Sequence, residues 1–249
     1  MGMDASTRNI GAHLRQRLES YAGKPIVYEY GRVVSTGDGI VRIDGLSHSR
    51  NGELIAFDGG LYGMAMDLEL GKVGAVLLIG INEMRVDSRA RSTGRVVEVP
   101  VGEALLGRVI DPLGIPLDGL PLHVETYRAI EQPAPTILDR QNVNEPLQTG
   151  LLAIDSMIPI GKGQRELIIG DRQTGKTTVA MDCILNQRGK EVLCVYVAIG
   201  QKISTVSKLY EQLRAASAMD YTVLVVATAS DCAAMQYIAP YAGCAIAEA

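Results

Sequence analysis

The sequence predicts a multi-domain chain, in which a small β-barrel is followed by an α/β domain with a mainly parallel sheet. Between about residues 24 and 92, short β-rich runs alternate with turn signals at roughly ten-residue spacing, as in small all-β barrels. From about residue 165, apolar strands without polar alternation are joined by helical segments, which is typical of a parallel sheet covered on both faces.

The composition agrees with this organisation and excludes several classes of protein. The chain has 249 residues, of which 47% are hydrophobic, so it can bury a sizeable core. A formal net charge of -4 argues against a protein that mainly binds nucleic acid, although a local basic patch is still allowed. We expect no signal peptide, and the apolar runs are too short to span a bilayer. Any membrane connection should therefore run through a partner.

The cysteines predict neither a zinc site nor a redox motif. They show no C-x-x-C spacing, and the three histidines lie far from them in sequence. We expect them to be small buried residues, reduced in a cytosolic compartment. The four are Cys183, Cys194, Cys232 and Cys244.

The first predicted element is an amphipathic helix over residues 6–21, capped by Ser6 or Thr7. Its apolar residues recur at helical spacing, and they are Ile10, Leu14, Leu18 and Tyr21. Such a helix either docks on its own domain or is offered to a partner. We assign residues 1–23 to this N-terminal partner segment.

Residues 24–92 are assigned to the barrel. The turns "TGDGI" and "SRNGEL" predict tight hairpins. The segment shows no cluster of catalytic residue types, and we find no interleaved aromatic and basic residues that would stack nucleic-acid bases.

Residues 93–249 are assigned to the nucleotide-binding domain, which we expect to be incomplete at its C-terminus. Its prolines predict an extended connection over residues 128–150, and a helix followed by a turn comes after it. The α/β pattern then predicts strands at 165–170, 192–200 and 221–229, and helices at 175–187, 203–218 and 231–243.

The segment "GDRQTGKTT" fits the phosphate-loop pattern G-x-x-x-x-G-K-[ST], because Gly170, Gly175, Lys176 and Thr177 stand at its fixed positions. Backbone N–H groups of such a loop and of the helix after it stabilise phosphate oxygens. Lys176 would reach the β- and γ-phosphates, and the Thr177 hydroxyl would coordinate Mg²⁺. A chance match is disfavoured, because strand, loop and helix all fall where the mechanism needs them.

The residues between the two glycines are bulky and polar: Asp171, Arg172, Gln173 and Thr174. Such a loop can bind a nucleotide, but hydrolysis also needs a group that orients water, an acid for Mg²⁺ and a stabilising arginine. The residue at the ligand-facing end of the next strand is Gln201. An amide cannot accept a proton as a carboxylate does, although Gln orients water in some phosphohydrolases. Gln201 can also be only a polar loop residue.

The acid that holds Mg²⁺ should follow an apolar strand directly. Asp231 is separated from the run "VLVV" by four residues, and we interpret it as a cap for the following helix.

Long segments of the chain, including "GDRQTGKTT", "CVYVAIGQK" and "YIAPYAGC", resemble the α-subunit family of the F-type ATP synthase. The resemblance implies a subunit that alternates with β subunits in a hexamer around a γ-type central stalk. It implies a non-catalytic site for MgATP or ADP, lined by Arg172 to Thr177, and β subunits that carry Glu where this chain has Gln201. It also implies that the N-terminal segment meets a δ-type peripheral-stalk subunit. The location would be the cytoplasmic face of the bacterial inner membrane, or the matrix or stromal face of an organelle.

The chains of that family continue beyond the position of Ala249. They add a strand with a Mg²⁺-associated aspartate, an arginine for the neighbouring catalytic site, adenine contacts and a helical domain. We therefore expect an unfinished sheet with an unpaired edge and uncovered apolar faces, in a fragment or a truncated gene product.

Three other functions remain open at this stage: a stand-alone NTPase, an RNA-binding hexameric motor, and a remnant that only binds partners. We expect the isolated chain to bind ATP without turning it over.

Overall fold

The predicted fold class is confirmed in the computed structural model, which describes residues 28–249. A closed six-stranded antiparallel barrel is followed by a domain with a parallel sheet. The helix predicted over residues 6–21, and the whole segment 1–23, lie outside the described residues, as do the first residues assigned to the barrel.

The barrel closes because its first and last strands pair with each other. Its strands are β1 (Tyr30–Gly37), β2 (Ile40–Gly45), β3 (Glu53–Phe57), β4 (Leu61–Glu69), β5 (Lys72–Ile79) and β6 (Arg89–Val96). They are hydrogen-bonded in the order β1-β2-β5-β4-β3-β6, and β6 pairs back to β1. Inward-facing Val, Ile and Leu side chains fill the interior. The boundary predicted at residue 92 falls inside β6.

One of the two predicted hairpins is present and the other is not. "TGDGI" joins β1 to β2, with Gly37 paired to Ile40 and with positive φ at Asp38 (51°) and Gly39 (77°). This is the geometry of a two-residue primed turn. The hairpin predicted at "SRNGEL" is wrong, because β2 pairs with β5 and β3 pairs with β4 and β6. Turn residues bend the chain there without making the flanking strands neighbours.

Two aromatic–arginine pairs lie on the barrel surface. The Arg91 guanidinium lies 4.6 Å from the centre of the Tyr28 ring, and that of Arg89 lies 5.9 Å from the Tyr30 ring. The residues are far apart in sequence and meet because β1 and β6 are adjacent. The arginines use these ring faces for cation–π contacts within the barrel itself.

The second domain has short strands before its main α/β units. The strands are β7 (Glu98–Pro100), β8 (Val109–Ile110), β9 (Tyr127–Ala129), β10 (Pro146–Leu147), β11 (Ile160–Gly161), β12 (Cys194–Gln201) and β13 (Thr222–Thr228). The helices are α1 (Leu152–Met157), α2 (Lys176–Leu185), α3 (Ile203–Ala215) and α4 (Ala233–Ala247).

The parallel sheet has the order β12-β13-β8 and is covered on both faces. All seven residues of β13 are buried. Leu224 and Val226 pack with side chains of α2 and α3, while Val223 and Val225 face the side on which Ile246 of α4 packs. This alternation is why the strand is a continuous apolar run.

The strand predicted at residues 165–170 is not present. No secondary structure is assigned there, and Leu167 and Ile169 are 80% and 81% exposed. None of the described strands pairs with the segment, so its backbone groups join no ladder. β12 is an edge strand of the sheet, which agrees with the expected unpaired edge.

The cysteines are free, but they are less buried than expected. Cys183, Cys194 and Cys232 are half-buried, and Cys244 is exposed. Burial raises the pKa of the Cys194 thiol to about 11. Among residues 28–249 we find no helix long and apolar enough to cross a membrane, and no group of three or more His, Cys, Asp or Glu arranged to hold a metal.

Candidate phosphate-binding site

Two glycines shape the phosphate loop that leads into α2. Gly175 is the N-cap of the helix and has φ of 93°, in the left-handed region that favours glycine. A Cβ atom on Gly170 would lie 2.6 Å from the Thr174 hydroxyl oxygen. Gln173 also has a positive φ, of 63°. The loop therefore turns twice through left-handed backbone within a few residues.

The N-terminus of α2 is open to an anion. No side chain caps it, and its first turn contains no acidic residue. The first N–H groups of a helix have no partner within the helix, and they carry its positive dipole end. The phosphate loop therefore presents unsatisfied donors to the place where the sequence predicts phosphate.

Lys176 is held over this loop by the loop's own backbone. Its Nζ donates a hydrogen bond to the carbonyl oxygen of Gly170 at 2.5 Å, and another to the carbonyl oxygen of Asp171. The Thr174 hydroxyl donates to the same Asp171 oxygen at 2.9 Å. A phosphate group would replace these carbonyls as the acceptor for the ammonium.

Two further residues of this segment, Arg172 and Thr177, are exposed and could contact a ligand. Arg172 is exposed and forms no ion pair with any residue that the structure describes, so its charge is available. Thr177 is exposed in the first turn of α2. Mg²⁺ in nucleotide sites takes few protein ligands beside phosphate and water oxygens. A single hydroxyl from Thr177 fits that pattern.

Gln201 ends β12 with its amide partly enclosed. Its Oε1 is buried and has no hydrogen-bond partner among residues 28–249. The ladder with β13 shifts register between Ile199 and Gln201, and Gly200 in the bulge has φ of 65°. The backbone carbonyl of Gln201 accepts from the N–H of Ala229 at 3.0 Å. Hydrogen bonds among the described residues do not connect Gln201 to the phosphate loop.

Asp231 is not the helix cap that the sequence predicts. The N-cap of α4 is Cys232, whose Sγ accepts from the Met235 N–H at 3.4 Å. Asp231 Oδ2 instead accepts from the Thr228 N–H at 2.6 Å and from the Thr228 hydroxyl at 2.9 Å. The carboxylate closes the turn after β13. A thiol is a weak acceptor, which is why the sequence pattern does not single out Cys232.

Asp111 is an acidic residue that sequence reasoning missed at the same end of the sheet. It follows β8 directly, which is the position expected of a Mg²⁺-holding acid. Its Oδ1 accepts from the N–H groups of Leu113 at 2.9 Å and of Ile115 at 2.7 Å. Burial raises the pKa of this carboxyl, and the negative charge of Asp231 raises it further against those hydrogen bonds. Asp111 therefore closes its own loop at the carboxyl end of β8.

The barrel and the parallel-sheet domain define a two-domain chain whose α/β domain carries a phosphate-loop motif. Residues 150–249 match the family model described as the ATP synthase alpha/beta family, nucleotide-binding domain. The chain is 53% identical over 247 residues to the ATP synthase subunit alpha of Acetivibrio thermocellus, and equally to that of Clostridium botulinum strain Hall.

These alignments cover 99% of this chain and 49% of each relative. The chain therefore spans about half the length of the curated relatives that it matches. The resemblance to the ATP synthase α subunit, inferred from the sequence, is confirmed over nearly all of its residues.

Proposed function

We propose that the chain is the nucleotide-holding, non-catalytic α-type component of the F1 sector of a proton-translocating rotary ATP synthase. It binds MgATP or ADP through residues 170–177 and Gln201, and it does not hydrolyse the nucleotide by itself. The α/β assembly, not this chain, synthesises ATP from ADP and phosphate.

One observation carries this proposal: the chain has an open phosphate loop, and the residue at the end of β12 has an amide side chain and not a carboxylate. The N-terminus of α2, Lys176 and Thr177 supply what phosphate and Mg²⁺ need. At the end of β12, where a hydrolase places a group that activates water, the residue is Gln201. An amide can orient water, but it cannot take up a proton as a carboxylate does, and this difference favours binding over cleavage.

The proposed partners follow from the relatives, which are named as α subunits of an ATP synthase. In this proposal the chain contacts β subunits of a hexamer, a γ-type central-stalk subunit and, through its N-terminal segment, a δ-type peripheral-stalk subunit. It is peripheral to the membrane, at the cytoplasmic face in bacteria or the matrix or stromal face in an organelle. Neither nucleic-acid binding nor membrane insertion belongs to this function.

A binding titration of the 249-residue chain with MgATP tests the proposal. We expect saturable binding that is reduced at least about tenfold by Lys176→Ala, because a charge-assisted contact to phosphate contributes about 1.5–3 kcal/mol. Lys208→Ala, which removes an exposed lysine of α3, is the matched control and should bind normally. Equal affinity of all three chains, or no binding by the unaltered chain, would contradict the proposed site.

A further inference from the structure

We propose that a cleft between the barrel and the two-stranded β7–β9 sheet is a docking site for an acidic, aromatic segment of a partner protein, with a carboxylate of that segment paired to Arg91. All residues that line the cleft lie between residues 28 and 127. None of them belongs to the nucleotide site proposed above, so this inference does not depend on the proposed function.

The cleft is lined by tyrosine and arginine side chains from several strands. Its volume is about 330 Å³, within the range of about 300–1,000 Å³ that is typical of binding pockets. It can therefore hold one or two side chains of a partner, but not a whole helix. The residues that give it its chemical character are Tyr28, Tyr62, Arg91, Arg95, Glu98 and Tyr127.

Arg91 is a half-buried cation without an anion. It forms no ion pair with any residue in the described part of the chain. The neighbouring Arg95 differs, because its guanidinium donates to the Glu98 carboxylate. Glu98 is the only acidic residue that lines the cleft, so nothing there balances the charge of Arg91. Partial burial of an unpaired charge is unfavourable, and a carboxylate from a partner would remove that cost.

The aromatic rings leave both the arginine and two tyrosines open to a partner. The Arg91 guanidinium lies 4.6 Å from the centre of the Tyr28 ring. A guanidinium that covers a ring face keeps the N–H groups along its edge free for bidentate contact with a carboxylate. Tyr62 and Tyr127 are 36% and 54% exposed. An aromatic side chain of the partner would pack against them in offset or edge-to-face contact.

Hydrogen bonds fix the backbone that carries the cleft. The Thr93 hydroxyl donates to the Leu54 carbonyl oxygen at 2.5 Å, which joins β6 to β3. The next N–H, that of Gly94, donates at 2.9 Å to Oε1 of Glu53, a residue that is only 3% exposed. A surface that is already ordered loses less conformational entropy when a partner binds.

The charge pattern favours a peptide over a nucleic acid as the ligand. Nucleic-acid binding depends on several contacts to phosphates, whereas this cleft offers one arginine without an anion. The formal net charge of -4 also disfavours a polyanion. One carboxylate beside one aromatic ring matches what the cleft presents.

The experiment titrates the full 249-residue chain into an acetylated, amidated Glu-Trp-Glu peptide and follows its fluorescence. The chain contains no Trp, so the signal comes from the peptide alone. We expect saturable binding that Arg91→Ala weakens at least about fivefold, because a charge-assisted hydrogen bond is lost. Tyr127→Ala should also weaken it. The neutral Gln-Trp-Gln peptide should bind the unaltered chain at least about fivefold more weakly.

Two variants outside the cleft are the matched controls. Arg42→Ala removes an exposed arginine of β2, and Tyr237→Ala removes an exposed tyrosine of α4. Both should bind the acidic peptide as the unaltered chain does. Thermal melts of each variant separate a local loss of binding from a loss of fold, and the comparison of the two peptides needs no variant at all.

Four results would overturn the inference. They are no saturation by about 1 mM peptide, equal affinity for the acidic and neutral peptides, normal binding by a folded Arg91→Ala chain, and equal losses in the control variants. Tighter binding of a short oligothymidylate that also requires Arg91 would assign the cleft to nucleic acid and would equally refute a peptide site.

Discussion

At the scale of single residues, the fold depends on a few polar contacts that a pattern of apolar residues does not reveal. Among residues 28–249, the least exposed ion pair is that of Arg108 with Asp118, whose side chains are 13% and 12% exposed. Arg108 Nε and one terminal nitrogen donate to the two carboxylate oxygens at 2.6 and 2.8 Å. The same guanidinium also donates to the carbonyls of Leu120 and Pro121. This contact closes the loop after β8.

We predict that Asp118→Ala lowers the free energy of unfolding by about 3 kcal/mol, because it leaves a largely buried guanidinium without its anion. Chemical denaturation at neutral pH measures the change. Asp67→Ala, at an exposed position of β4, should cost less than about 0.5 kcal/mol. Equal effects of the two substitutions would show that the ion pair does not contribute to the free energy of unfolding.

The same pair predicts a pH dependence. The hydrogen bond from Arg108 holds the pKa of the Asp118 carboxyl at about 2, below the value of about 3.9 expected in an unfolded chain. The stabilisation is therefore complete above about pH 4 and is lost as the pH falls through about 2. The difference in stability between the unaltered chain and Asp118→Ala should shrink over that window. A difference that stays constant down to about pH 2 would contradict this assignment.

At the scale of elements, close packing of α4 on β12 explains a glycine inside a helix. A Cβ atom on Gly243 would lie 2.3 Å from a methyl group of Val197. Alanine is the better helix former by about 1 kcal/mol, but overpacking of a core costs about 1–3 kcal/mol. The steric cost therefore outweighs the gain in helix propensity.

We accordingly predict that Gly243→Ala destabilises the chain by up to about 2 kcal/mol net. Gly37→Ala is the control, since a Cβ atom there meets no atom within 4 Å and the backbone φ is not positive. Melting temperatures of the two variants measure the difference. A Gly243→Ala chain that is more stable than the original would show that α4 moves away from β12 at no cost.

Elements are also the scale at which prediction from sequence succeeded and failed. The helices α2, α3 and α4 and the strands β12 and β13 were predicted, because their apolar pattern is local. The strand at residues 165–170 and the "SRNGEL" hairpin failed, because pairing depends on which distant strand lies alongside. In the site, the loop motif was visible in sequence. The position of Asp111 at the carboxyl end of the sheet was not, since β8 joins that sheet from far along the chain.

At the scale of the whole molecule, apolar surface remains uncovered around the phosphate-loop segment. Leu152, Leu167 and Ile169 are each at least 80% exposed, and β12 is an edge strand. Exposed apolar patches and open sheet edges favour association. The described part of the chain therefore has a surface that favours association with a partner or another segment.

We predict that the isolated 249-residue chain self-associates as its concentration rises, and that Leu167→Lys with Ile169→Lys reduces this. Sedimentation velocity over a range of concentrations measures the association. Leu70→Lys is the control, because that side chain is fully exposed on a barrel turn between β4 and β5. If Leu70→Lys were as effective, added charge and not loss of the patch would explain the result.

The central claim is that this chain holds a nucleotide without cleaving it, and single-turnover phosphate release tests that claim most directly. A limiting amount of MgATP is bound to an excess of the chain, and released phosphate is followed for many hours, beside Lys176→Ala. We predict saturable binding by the unaltered chain and phosphate release no faster than in the variant. Phosphate release that requires Lys176 would contradict the account and would establish a hydrolytic site.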